Sequence, residues 1–165
     1  INGTAEATTL PYQSIDAIVA GQAFHWFDRV KTKAEFLRIL KPAGIVILIW
    51  NERLTHSPFE KEYDQLIIKH SRDYVQVDHR NINTKNIWDF FLPQKCELNI
   101  FPNQQVFDFE GLKGRLSSSS YAPTPGETGY NAMINDLQLL FNKYNKEGVI
   151  IINYDTKVYS GIFVP

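Results

Sequence analysis

The chain has 165 residues, 44% hydrophobic and 21% charged, with a formal net charge of -1. That balance describes one ordinary globular domain, excludes disordered and fibrous classes, and argues against a dedicated nucleic-acid backbone binder. The single cysteine, Cys96, excludes an intramolecular disulfide; it fits a reducing, cytoplasmic setting and reads as a small buried hydrophobe on a strand.

No apolar stretch approaches the roughly 18 residues of a membrane span. The N-terminus has no basic region leading into an apolar core, so no signal peptide is expected. Ile1 opens the chain on a strand end and a turn, which suits an internal cut better than a natural domain boundary. Ile15 to Ala20 is apolar except for Asp16 and reads as a buried parallel strand. Asp28 can N-cap a helix over Arg29 to Leu40, with Val30, Ala34, Leu37 and Leu40 as its apolar stripe. Lys41 complements the helix end and Pro42 stops it. Ile45 to Trp50 is apolar throughout and reads as a central strand covered on both faces, as in an α/β sheet.

From Leu54 to Leu92 the periodicity predicts one helix at Tyr63, Leu66 and Ile67. A loop follows around Val75 to Thr84, then a short helix at Ile87, Trp88 and Phe91. Cys96 to Phe107 alternates as a strand, with a bulge or bend at Pro102-Asn103. Phe109 to Ser118 predicts a helix. Another lies within Gly126 to Lys146, with Met133, Leu137, Leu140, Phe141 and Tyr144 on its apolar face. Val149 to Asn153 and Val158 to Val164 close the chain as a strand with its hairpin or continuation.

Two polar clusters, Gly21 to Trp26 and Asn51-Glu52-Arg53, follow the two parallel strands. In open α/β sheets ligands bind beyond the carboxyl ends of strands, so both point to one functional edge. Phe27 reads as a core aromatic, whereas His25 and Trp26 are candidate site residues. Arg115 with Ser119 and Tyr121 could hold a carboxylate bidentately. His56, His70 and His79 share no helical spacing and have no cysteine partners, so they read as surface residues rather than metal ligands. No Gly-x-Ser-x-Gly, phosphate-loop or metal motif is present.

The order from Gly3-Thr4-Ala5-Glu6 through the Ile15 strand, His25-Trp26, Leu40-Lys41-Pro42-Ala43-Gly44 and the Ile45 strand resembles the middle of a class I S-adenosylmethionine-dependent methyltransferase. It is similar to the trans-aconitate methyltransferase branch (methyltransferase type 11). The resemblance covers Gly3 to Arg53 most strongly, and Gly114 to Pro123 and Tyr154 to Tyr159 more weakly. It implies a partial Rossmann-like sheet, strands three or four to seven, with helices on its faces. Residues 1–165 would then be a single incomplete domain. The helical insertion over 54–92 would cover the substrate pocket.

In such enzymes the turn matching Thr4, Ala5 and Glu6 lies against the adenine of S-adenosylmethionine, with an Asp usual at the place of Thr4. Gln22, Ala23 and Trp26 would line the methionine end of the cofactor. Ala43 replaces a usual glycine; if that position needs φ > 0, the turn is strained or reshaped. His25 would be the catalytic residue or orient substrate, and Trp26, Asn51, Arg53, Arg115 and Tyr121 would line the site of a small-molecule acceptor, a carboxylate among the candidates. A carboxylate acceptor needs no base; for a hydroxyl or acidic carbon, His25 could take the proton.

The glycine-rich cofactor loop of the family is not found before Gly3, so impaired activity of this chain alone is expected. The Ile15-to-Ala20 strand would be an apolar edge open to self-association. The alternative is a non-catalytic α/β module that has lost cofactor binding and works through partners.

Overall fold

The computed structural model describes residues 2–71 and 84–164. Most of the expected loop from Val75 to Thr84, and His79 with it, lies outside the described residues; Thr84 itself opens a helix. The described elements run β1 (Ile15–Gly21), a short 3-10 turn (Phe24–Trp26), α1 (Arg29–Ile39), β2 (Leu40–Arg53), α2 (Pro58–His70) and α3 (Thr84–Phe91). They continue with β3 (Glu97–Phe107), α4 (Phe109–Ser117), α5 (Tyr130–Tyr144) and β4 (Ile150–Ile162). The four strands lie in the order β1-β2-β4-β3, and β1 runs parallel to β2. The α/β expectation therefore holds, with α1 as the crossover that parallel pairing requires.

The chain forms two compact units. The first combines Ile1–Glu52, Ile82–Phe101 and Asp155–Pro165. Its core gathers Phe24, Phe36, Val46, Leu48, Phe90 and Phe163, among others. Ring contacts knit it, with Phe24 to Phe90 at 5.0 Å and Phe90 to Phe163 at 5.4 Å between centroids. Asp28 caps α1 as expected, accepting from the Lys31 N–H at 3.2 Å.

The expected stripe on α1 is corrected. Its inward face is Thr32, Glu35, Phe36 and Ile39, whereas Val30 is 80% exposed. The cause is polar: Glu35 Oε1 accepts from the Thr8 N–H at 2.8 Å and the Thr8 hydroxyl at 2.5 Å, and Arg38 grips both carboxylate oxygens. A carboxylate so engaged can occupy the packed side, turning the apolar positions away from the pattern hydrophobicity alone suggests.

β1 is not a buried strand. Only Ala20 is buried and Val19 is 60% exposed; β1 stands at the sheet edge, with β2 as its sole neighbour among the described residues. β2 is likewise sealed on one face alone: Val46, Leu48 and Trp50 are buried while Ile45, Ile47 and Ile49 are half-buried. Ala43 adopts φ 63, the left-handed conformation the sequence reading raised as a condition, but within β2, where its register against β1 shifts, and not in a separate turn. Cys96 is half-buried just before β3 rather than on it, and burial pushes its thiol up to about 11.

The second unit comprises Arg53–Asn81 and Pro102–Tyr154. Helices α2, α4 and α5 enclose a core that includes Tyr63, Ile67, Leu116, Met133, Leu137 and Ile152. Ser57 begins α2 with a capping box: its hydroxyl accepts from the Glu60 N–H, and Glu60 accepts from the Ser57 N–H at 2.9 Å. Glu60 also accepts from Asn153 N and Nδ2 at 3.1 and 2.8 Å, anchoring the helix start to β4. On α5, Met133, Leu137, Leu140 and Phe141 are buried, as the spacing indicates.

β4 is one continuous strand, and β3 passes through Pro102 without ending, which its edge position allows. Of the two helices expected between Leu54 and Leu92, α2 falls in this unit and α3 in the first. His70 is not a surface residue: its side chain is 10% exposed and Nε2 lies 2.7 Å from Asp136 Oδ2. The preceding Lys69 also pairs with Asp136, so that carboxylate draws the end of α2 toward α5.

Candidate functional site

In the first unit the carboxyl ends of β1 and β2 are tied together by Gln22. Its Nε2 donates to the Asn51 carbonyl and its Oε1 accepts from the Asn51 N–H, both at 3.3 Å. Gln22 can do this because the chain turns there at φ 52 while its own N–H donates to Ile49 O at 3.0 Å. The Asn51 side chain accepts from the Thr156 hydroxyl at 2.8 Å, and Glu52 pairs with Lys157. Gln22 and Asn51, expected at one edge from sequence, are thus brought into contact.

The 3-10 turn that follows buries Phe24 and turns His25 and Trp26 outward. Trp26 is 71% exposed, with its ring 4.5 Å from the His25 imidazole. Beneath them, Trp50 is 4% exposed and meets the His25 ring edge-on at 5.6 Å. Its indole N–H is buried and has no acceptor among the described residues. The sequence reading passed over Trp50 as a strand residue; its place as the last apolar residue of β2, at the carboxyl end, was the available signal.

Thr4 and Ala7 close a tight bridge, exchanging backbone hydrogen bonds at 3.2 and 3.1 Å. Glu6 reaches from this turn to the start of α1, accepting from the Asp28 N–H at 3.0 Å and the Thr32 hydroxyl at 3.3 Å. The Asp28 N–H bond, with help from the Thr4 hydroxyl, holds its carboxyl below the usual range. Thr4, Ala5 and Glu6 are therefore latched to the segment that follows His25 and Trp26. Thr4 itself stays exposed.

The second unit holds the remaining predicted residues. Arg53 is paired with Asp64 at 2.6 Å, both largely shielded, and its guanidinium lies 5.1 Å over the Tyr63 ring. Arg115, on the last turn of α4, donates to the Ser119 hydroxyl at 3.2 Å. Tyr63, Tyr121 and Tyr154 lie within electrostatic reach of it. Burial drives the ionisation of Tyr63 far above the ordinary range, so its hydroxyl stays neutral. Tyr63 entered the sequence reading only as part of a helical apolar pattern, and Tyr154 only as the start of a weakly resembling segment.

Among the described residues no group of three or more His, Cys, Asp or Glu could hold a metal ion, and no helix is long and apolar enough to cross a membrane.

Residues 1–48 match a family described as a methyltransferase domain. An uncharacterized methyltransferase of Schizosaccharomyces pombe is 40% identical over 163 residues, covering 99% of this chain and 65% of its own. An uncharacterized methyltransferase-like protein of the same yeast is 32% identical, covering 96% of this chain and 62% of its own. The chain thus spans just under two thirds of the length of these curated relatives.

Among solved structures, a type II methyltransferase candidate from Anaeromyxobacter dehalogenans superposes with a TM-score of 0.68 at 19% identity, covering 99% of this chain and 71% of that one. The YcgJ protein of Bacillus subtilis gives 0.54 at 18%, covering 99% and 70%. At such identities the likeness is one of fold, and it agrees with the strand order and the parallel β1–β2 pair. Residues 1–48 thus match a methyltransferase domain, and the chain is similar in sequence to uncharacterized methyltransferases and in fold to solved methyltransferase structures.

Proposed function

We propose that the protein to which this chain belongs transfers a methyl group from S-adenosylmethionine to a small molecule. The observation that carries this reading is the Gln22–Asn51 bracket, which gathers the ends of β1 and β2 beneath exposed His25 and Trp26. The residues fit such a cofactor: Thr4 is open on a latched turn, Trp26 offers an uncovered aromatic face, and the Trp50 indole N–H lacks an acceptor. Thr4, Ala5 and Glu6 would hold its adenine side, and Gln22, Ala23 and Trp26 its amino-acid side.

The bound cofactor supplies an already activated sulfonium methyl. The protein's part is then positioning and exclusion of water. His25, braced between Trp26 and Trp50, orients the acceptor; with a hydroxyl or acidic-carbon acceptor it also takes the proton at a ring nitrogen.

Calorimetric titration of S-adenosylhomocysteine into the 165-residue chain tests the proposal. Micromolar binding that weakens in Trp26→Ala supports it. No binding to this chain or to a longer form favours the non-catalytic interaction module.

A further inference from the structure

Trp50 closes the buried row of Val46, Leu48 and Trp50 on β2, at the carboxyl end that the Gln22–Asn51 bracket gathers. It is 4% exposed and shares a core with Ala20, Phe24 and Leu48. An indole nitrogen only donates, and this N–H is buried with no acceptor among the described residues. A donor sealed from water and left unmatched is costly, and a phenylalanine would fill the same apolar place without it. Trp50 therefore points to an acceptor atom that arrives with a ligand. The exposed His25 meets its ring edge-on at 5.6 Å, which places Trp50 directly beneath the His25–Trp26 surface. Trp50, His25, Trp26 and Gln22 all belong to the first compact unit. In the cofactor reading, Thr4, Ala5 and Glu6 serve the adenine side and Gln22, Ala23 and Trp26 the amino-acid side. The Trp50 N–H is left for the second ligand.

We infer that the Trp50 indole N–H is a specificity-determining donor to one neutral oxygen, carbonyl or hydroxyl, of the molecule seated at the His25–Trp26 surface; calling that molecule the methyl acceptor rests on the methyltransferase reading. The exposed His25 ring turns aside to admit the oxygen. A lone neutral donor in apolar surroundings does not compensate a full charge, so a carboxylate is disfavoured at this position. A molecule without the oxygen is disfavoured as well, because it leaves the N–H buried and unmatched. Such a loss discriminates far more strongly than a missing methylene does.

The test follows the indole N–H signals of the intact chain by nuclear magnetic resonance, with the nitrogens of its three tryptophans isotope-labelled. Trp26→Phe and Trp88→Phe assign the Trp50 signal by elimination, so the reading survives if a Trp50 variant does not fold. Benzyl alcohol, acetophenone, toluene and benzoate are titrated in turn, with and without S-adenosylhomocysteine. Benzyl alcohol and acetophenone should move the Trp50 signal downfield and bind about tenfold or more tighter than toluene or benzoate. Trp50→Phe, where circular dichroism shows it folded, should erase that preference. A Trp50 signal unmoved by both neutral oxygens, toluene bound as tightly as benzyl alcohol, or benzoate bound as tightly as either would each overturn the inference. S-adenosylhomocysteine binding without a Trp50 response to the neutral oxygens removes the donor role and leaves the methyltransferase reading. A Trp50 response without S-adenosylhomocysteine binding keeps the donor site and counts against that reading.

Discussion

Glu35 shows how one side chain can redirect a helix. Its carboxylate gathers the Thr8 N–H and hydroxyl and the Arg38 guanidinium, and the Arg38 bonds first, then those of Thr8, bring its pKa from 4.5 down to about 2. A folded-state value below the unfolded one means its contribution is present above roughly pH 4.5 and fades as pH falls toward 2. Glu35→Gln should therefore cost about 1–2 kcal/mol at pH 7 and much less near pH 2, read from urea midpoints. A loss independent of pH would assign the effect to packing.

Hydrophobic spacing could not reveal this face, since two of its four members, Thr32 and Glu35, are polar. The reverse holds at Ala43, where the sequence reading already tied a missing glycine to φ > 0. With φ 63 observed at an exposed position within β2, Ala43→Gly should raise stability by about 0.5–1 kcal/mol. At the candidate site, His25→Ala should lower turnover about 100-fold or more if the imidazole is the base. If it only orients a carboxylate, the variant should chiefly raise KM. The pH dependence of the residual rate separates the two roles.

At the scale of elements, the start of α2 gathers several hydrogen bonds on one carboxylate. Glu60 accepts from the N–H groups of His56, Ser57 and Asn153 and from the Asn153 amide. Burial alone would raise its pKa, yet these donors outweigh it and keep the group ionised. Ser57→Ala should cost about 1 kcal/mol, the usual worth of a cap. Glu60→Ala should cost about 3 kcal/mol, because it strands several donors away from water. Equal losses in thermal denaturation would contradict that ranking.

The helix itself was legible from Tyr63, Leu66 and Ile67, but its anchor was not, because Asn153 lies 93 positions away in the chain. The same distance effect hid the edge state of β1. An apolar run reads alike whether its faces are covered or open, and only what packs on those faces decides. The buried residues of α5 were easier, since local spacing carries that information, whereas the sequence left β4 open between a hairpin and a continuation.

At the scale of the whole chain, the β1 edge bears most directly on association. Among the described residues β1 has β2 as its one strand neighbour and Val19 is exposed, the pattern that invites another strand. We propose that the 165-residue chain taken by itself self-associates through this edge in concentrated solution, and that Val19→Lys reduces it. Light scattering that finds a monodisperse monomer at high concentration would argue against it. The candidate site was legible in part at this scale. The contact between Gln22 and Asn51 follows from where parallel strands end, whereas the pairing of Arg53 with Asp64 and of Arg115 with Ser119 depends on packing that spacing does not encode.

The three tryptophans sit in three different surroundings: Trp50 is 4% exposed, Trp88 38% and Trp26 71%. Native fluorescence should accordingly be heterogeneous, with its long-wavelength, acrylamide-quenchable component coming mainly from Trp26. Anything that stacks on the His25–Trp26 surface would shift that component toward the blue and shield it from quencher, leaving the Trp50 contribution nearly constant. The chain carries its own optical reporter of occupancy, without a label.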